Sequence, residues 1–145
     1  MMQLNTRHFG AIEIEESDIL NFEDGIPGFE YIKKFMLIKP EDEESPFQWF
    51  QSVDHPEYAF VIVDPFKVVE DYTINVPDND ITSLGIESIT DVAVYCIVVI
   101  PEDVSKMTAN LKGPLIINTR LRKGKQVLLE NSPYSIKHSL VEQPE

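Results

Sequence analysis

The sequence predicts a mainly β protein, built as an antiparallel barrel or as two packed sheets with a few short helices. Three observations carry this. Short segments rich in β-branched and aromatic residues recur between turn signals along the whole chain. Helical periodicity is scarce. The chain also holds ten prolines, several beside the β-rich segments, which suits edges and corners rather than helix interiors.

Taken in order, "MQLNTRHFGAIEIEES" (2–17) reads as two short strands broken at Gly10, with Ile12 and Ile14 alternating against Glu13 and Glu15. Strands are expected in "FMLIKP" (35–40), "FQWFQSV" (47–53) and "YAFVIVDPF" (58–66), with "EDEESP" (41–46) as an exposed loop. "VAVYCIVVI" (92–100) is apolar throughout and reads as a central strand covered on both faces. "LIINTRL" (115–121) and "QVLLE" (126–130) flank Arg122-Lys123-Gly124-Lys125, where Gly124 suits the positive-φ position of a hairpin loop. "YSIKHSL" (134–140) alternates weakly and reads as an edge strand. One helix is expected over "PDNDITSLG" (77–85), with Asp78 as N-cap and Gly85 as its stop. A turn or two of helix is expected in "FEYIKKF" (29–35) and in "PEDVSKMT" (101–108).

The stretch "NFEDGIPGFE" (21–30) carries the densest punctuation. Asp24-Gly25 gives one turn signal. Pro27 at the second position and Gly28 at the third suit a type II turn, and Ile26 before proline is pushed toward extended backbone. The chain should reverse twice, bringing Phe22 and Phe29 near enough to pack together. A phosphate loop is excluded: no Gly-Lys-Ser or Gly-Lys-Thr follows, and Glu23, Asp24 and Glu30 would repel an anion.

A chain of 145 residues without internal repeat or long linker suits a single unit over 1–145, with 141–145 as a flexible tail. At this length a chain buries roughly 68–70% of its unfolded surface and needs no metal or disulfide. The start "MMQLNTRHFG" lacks a basic region followed by an apolar one, and no stretch approaches the ~20 apolar residues that span a bilayer. The single Cys96 cannot form an internal disulfide and suits a reducing compartment. A cytoplasmic protein without a membrane segment is expected.

Charge is uneven. The net charge is −13, and residues 1–100 hold 20 acids against 5 bases, whereas residues 101–145 hold 5 acids against 7 bases. Such an acidic body repels phosphate backbones, which argues against direct nucleic-acid binding, and favours a basic partner; solubility alone would also account for it. No catalytic set emerges. His8, His55 and His138 lie far apart and share no metal-ligand spacing, so neither metal nor cofactor is expected. Ser52, Asp54 and His55 have the residue types of a triad, but neighbours on one strand point in successive directions and cannot converge. Cys96 sits where a thiolate is disfavoured. The abundant Asp and Glu leave a carboxylate-dependent hydrolase as the rival class.

Three blocks, "FEDGIPGFE" (22–30), "PFQWFQSVDHPEYAFVIVDP" (46–65) and "TANLKGPLIINTRLRKGKQVLL" (108–129), together resemble the flagellar assembly factor FliW family over about residues 3–140. Gly113 before Pro114 departs from that pattern, where alanine is more usual. The resemblance implies a compact antiparallel β-barrel-like fold and a regulator without catalytic activity. It implies two partners: CsrA, a small dimeric translational repressor that silences flagellin messenger RNA, and flagellin itself. Flagellin would occupy the factor until secretion removes it, and the freed factor would then sequester CsrA.

Candidate partner-binding residues follow from the blocks and from the acidic loops. Phe22 and Phe29 shape the first corner with Gly25, Pro27 and Gly28. Trp49, the only tryptophan, is either a core anchor or an interface hot spot. Gln51 and Ser52 are placed to present polar contacts at a strand end. Asn110 and Asn118 bracket Lys112-Gly113-Pro114 and suit bonds to local backbone or to a partner. Glu41, Asp42, Glu43, Glu44, Asp78 and Asp80 lie in expected loops and suit a basic partner. The basic group Arg120, Arg122, Lys123 and Lys125 reads as a solvated hairpin tip that could hold an acidic or polar segment of flagellin.

Overall fold

The structure, a computed structural model, describes residues 2–40, 42, 45–130 and 132–140. The loop acids Glu41, Glu43 and Glu44 and the tail 141–145 lie outside the described residues.

Eleven strands are described: β1 (Met2–Thr6), β2 (Gly10–Ile14), β3 (Leu20–Asn21), β4 (Lys34–Ile38), β5 (Phe47–Ser52), β6 (Ala59–Val63), β7 (Val92–Val99), β8 (Thr108–Ala109), β9 (Leu115–Asn118), β10 (Lys123–Gln126) and β11 (His138–Ser139). Two helices join them, α1 (Pro65–Val68) and α2 (Asp78–Leu84). Seven strands close into a barrel in the order β7-β6-β5-β4-β3-β10-β9 and back to β7. Every pairing in it is antiparallel except β3 with β10, where Asn21 meets Lys123. The mainly β reading and the barrel both hold.

The side-chain period of two fills the interior. Phe35, Phe50, Ile62, Leu115 and Ile117 share one cluster with Leu20, Phe22, Ile26 and Ile32. Phe35 and Phe50 stack at 4.3 Å with planes 7° apart, and Phe22 meets both edge-on. Each such ring, once buried, contributes on the order of 1.5–3 kcal/mol.

The outer wall is covered in three places. The β1–β2 hairpin lays Leu4 and Ile14 near Met36 and Val53. The segment after β6 packs Tyr72 against Cys96, Val98 and Leu111. Helix α2 packs Leu84 on Val94 and Ile116. Strand β7 is central, as expected: β6 pairs along one edge, while β9 and β8 share the other. Its face toward the outer clusters is buried at Val94, Cys96 and Val98, and its end at Val99 and Ile100 is exposed. Burial pushes the Cys96 thiol up to about 12, so it stays neutral and inert.

Several element assignments change. Strand β6 stops at Val63 because Asp64 caps a helix opened by Pro65, its side chain accepting from the Phe66 amide at 2.9 Å. Asp78 is the first residue of α2 rather than its cap, while Gly85 does stop the helix, at φ 66°. Residues 29–31 form turns instead of helix, and the expected helix near 101–108 reduces to a 3-10 turn over Val104–Lys106.

The largest correction concerns Gly124. It lies inside β10, and Arg122 takes the positive φ of 57°. Glycine is needed at 124 because the ring of Phe22 and the carbonyl of Ile116 come within 2.8 Å of where a Cβ would stand.

Candidate functional site

The first corner folds as its residues dictate. Gly28 has φ 89°, and the amide of Phe29 donates to the carbonyl of Ile26 at 2.7 Å, the closure of a type II turn. The Glu30 carboxylate accepts from the Gly28 amide at 2.9 Å, and that bond holds its pKa below the ordinary value. Gly25 is equally constrained, since a Cβ there would lie 2.6 Å from the Glu30 Cα. Phe22 and Phe29 both join the barrel core, but through different rings. Phe22 packs on Phe35 and Phe50, whereas Phe29 meets Tyr58 at 5.6 Å and Phe60 at 5.2 Å.

Beside this corner stands the β5–β6 loop, and one carboxamide fixes it. Gln51 is 1% exposed. Its Nε2 donates to the carbonyls of Ser52, Pro56 and Tyr58 at 2.9, 3.0 and 3.2 Å. Its Oε1 accepts from the Arg7 amide at 3.1 Å, which ties the tip of the first hairpin to the same loop. Ser52 is buried too, and its hydroxyl accepts from the backbone amide of His55 at 3.0 Å. Neither residue presents polar atoms at a strand end. They hold a loop, and the loop presents the rings of His55 and Tyr58.

Those rings meet Tyr31 from the first corner. Tyr31 to His55 is 5.3 Å, Tyr31 to Tyr58 6.2 Å and His55 to Tyr58 6.4 Å, with interplanar angles of 89°, 75° and 69°. Three nearly perpendicular rings form a corner, with Tyr31 55% exposed. Exposed carboxylates of Glu30, Asp54 and Glu57 flank it in sequence, and Glu57 approaches the His55 ring at 4.0 Å. Hydrogen bonding with Tyr58 pushes the Tyr31 phenol upward, so it remains neutral. Aromatic faces beside carboxylates suit an arginine or lysine of a partner. Sequence reasoning missed Tyr31 and Tyr58; their signal was their position beside the two most punctuated loops of the chain.

Trp49 lies on the outer face of β5, half-buried. His8 packs on it at 4.2 Å with the rings tilted by 33°, and Phe9 meets it edge-on at 6.1 Å, so it anchors the first hairpin.

The remaining residues lie on β9, on β10 beside β3, and in the turns that flank them. Asn118 is fully buried. Its Nδ2 donates to the carbonyls of Leu84 and Gly85 at 2.8 and 3.2 Å, and its Oδ1 accepts from the amides of Arg120 and Leu121. Asn110 Oδ1 accepts from the Lys112 and Gly113 amides at 3.1 and 2.9 Å and makes the turn between β8 and β9. At Gly113 a Cβ would lie 3.0 Å from the Asn110 and Gln126 carboxamides.

The basic group is not a solvated tip. Arg120 pairs with Asp91 at 3.4 Å and Glu87 at 3.5 Å, Arg122 donates to the Asp18 carbonyl at 2.9 Å, and Lys125 pairs with Asp80 at 2.6 Å. Three of its four cations tie α2 and the flanking turns to the barrel wall, and Asp80 is thereby engaged, while Asp78 stays exposed. Asp42 lies exposed between undescribed neighbours.

Among the described residues no three His, Cys, Asp or Glu side chains converge to hold a metal. The Ser52 hydroxyl meets the His55 backbone rather than its ring. No helix among the described residues is long and apolar enough to cross a membrane.

Comparison with known proteins places these features. The family model of the FliW protein matches residues 3–140. The flagellar assembly factor FliW of Thermoanaerobacter pseudethanolicus is 46% identical over 142 residues, covering 98% of this chain and 95% of its own. That of Caldicellulosiruptor saccharolyticus is 48% identical over 139 residues, covering 96% and 90%. A crystal structure of the flagellar assembly factor FliW superposes with a TM-score of 0.89 at 41% identity, covering 98% of this chain and 99% of that one. A closed barrel with this corner, matched along nearly its whole length, makes the chain a member of the FliW family of flagellar assembly factors.

Proposed function

We propose that this protein is a non-enzymatic flagellar assembly factor of the cytoplasm that binds and antagonises the translational repressor CsrA and also binds flagellin. Binding to the two partners in turn would couple flagellin translation to secretion. Among the geometric observations, the one that carries the reading is the corner of Tyr31, His55 and Tyr58 beside Glu30, Asp54 and Glu57. The exposed ring of Tyr31, with the half-buried rings of His55 and Tyr58 and carboxylates around them, fits a basic, RNA-binding protein. Membership of a family named for flagellar assembly supports the same reading.

The candidate residues then divide by task. Tyr31 and the exposed acids are assigned to contact, while Phe29 packs on Tyr58 and Phe60 and supports the corner. Phe22, Gln51, Ser52, Asn110 and Asn118 shape and hold the loops, and Trp49 holds the hairpin next to them. An acidic protein seated on the repressor would also repel RNA phosphates.

Titration calorimetry of the purified protein with CsrA, with flagellin and with single-stranded RNA tests this. Binding to both proteins and none to RNA is expected. Failure of both proteins to bind, or tight salt-sensitive binding to RNA alone, would overturn it.

A further inference from the structure

Past β10 the chain continues extended. The amide of Val127 donates to the Pro114 carbonyl at 2.9 Å, and that of Leu129 to the Lys112 carbonyl at 2.8 Å. In antiparallel pairing, alternate residues aim their backbone groups at opposite neighbours. Leu128 therefore turns its N–H and C=O away from segment 112–114. Among the described residues neither group has a hydrogen-bond partner.

Segment 73–77, also outside regular structure, lines the same open space as 128–130, and no backbone hydrogen bond joins the two segments among the described residues. Between them lies a groove of about 640 Å³ whose walls include Ile74, Asn75, Leu128, Glu130 and Tyr134. Leu128 is 54% exposed, while Ile74 is half-buried. A free backbone donor and acceptor at Leu128, beside an open slot lined by both apolar and polar side chains, is what an added strand requires.

We propose that this groove receives an extended segment of a basic protein partner, laid along Leu128 as an additional strand. Charge selects the occupant. No lysine or arginine is among the described lining residues, while Asp80 and Glu130 are. Lys125 neutralises Asp80, but Glu130 is exposed and has no cationic partner among the described residues. An acidic segment would be repelled, and so would a second copy of a chain with net charge −13. Aliphatic side chains of the segment would contact Ile74 and Leu128, and a basic one would reach Glu130. This inference rests on the function proposed above only in using CsrA as one probe.

Residue-resolved amide exchange by NMR tests it. In the protein alone, the Leu128 amide should exchange rapidly while those of Val127 and Leu129 are protected. Two probes are then added separately: purified CsrA, and a peptide Arg-Val-Ile-Val-Arg with blocked ends. At least tenfold slowing at Leu128 is expected with both. At least tenfold weaker CsrA binding is expected for Leu128→Asp, with an unchanged melting temperature. If CsrA binds but leaves Leu128 exchange and the Leu128→Asp affinity unaltered, the groove assignment falls and the function stands. If the peptide protects Leu128 and CsrA does not bind, the groove stands and the function falls. Protection by neither probe overturns the groove. So does equal protection by Glu-Val-Ile-Val-Glu, or protection that grows with the concentration of this protein alone.

Discussion

The ring of Phe22 occupies the space in front of Gly124: its Cε1 and Cζ lie 2.8 Å from the position a Cβ would take. On the other side the Ile116 carbonyl is equally close. Gly124→Ala therefore cannot be relieved by moving one flexible side chain, because Phe22 is itself packed against Phe35 and Phe50. The expected loss is about 1–3 kcal/mol, the usual cost of overpacking a core. Urea unfolding measures it. Stability equal to the wild type would mean that β10 does not run this close to Phe22.

At Gly28 the constraint is of another kind. A Cβ would meet nothing within 4 Å, so space is free and only the backbone, at φ 89°, objects. Gly28→Val should cost on the order of 1–3 kcal/mol, as for other forced backbone outliers. Gly28→Asn should cost less, because asparagine tolerates positive φ better. Thermal melts of the two variants separate strain from contact: equal melting for valine and wild type would refute the type II turn.

Glu30 gives this turn a pH dependence. Its pKa is lowered in the fold, chiefly by the hydrogen bond from the Gly28 amide and to a lesser degree by Lys33. A carboxylate whose folded pKa is depressed contributes stability above its unfolded pKa and loses it as pH falls through the folded one. The melting difference between wild type and Glu30→Gln should thus be present at neutral pH and shrink below the ordinary carboxyl value of 4.5. A difference that is constant with pH would show that the carboxylate does not support the turn.

How much of this was legible beforehand depends on the range of the interaction involved. Turn chemistry is local, so Gly28 and the stop at Gly85 could be read from neighbours within a few residues. Gly124 could not. A glycine that serves a positive φ and one that admits a ring from a hundred residues away look alike in sequence, and only the Phe22 contact distinguishes them. The barrel's closure by the parallel Asn21–Lys123 contact is likewise non-local. Gln51 and Ser52 looked like surface polar residues because nothing in the sequence shows that the Arg7 hairpin tip and the 53–58 loop fold over them. The basic group misled for the same reason: its counter-charges Asp80, Glu87 and Asp91 lie more than twenty residues upstream.

The proposed encounter with CsrA has a rate that charge should govern. Exposed carboxylates form individually weak pairs, so they speed approach more than they hold a complex. Raising ionic strength from 0.01 M to 1 M shortens the screening length from about 30 Å to about 3 Å. The association rate should then fall tenfold or more while dissociation changes less. The structure sharpens the choice of carboxylates. Asp80 is held by Lys125 at 2.6 Å and should contribute little, whereas Asp54 and Glu57 are exposed beside the His55 and Tyr58 rings. Asp54→Asn with Glu57→Gln should lower the association rate and flatten its salt dependence; Asp80→Asn should do neither to the same degree. Flagellin affinity, expected to depend on apolar burial, should respond less to salt. Stopped-flow mixing across a salt series measures all three proteins. An association rate that stays flat would discard electrostatic steering and leave the acidic surface to solubility.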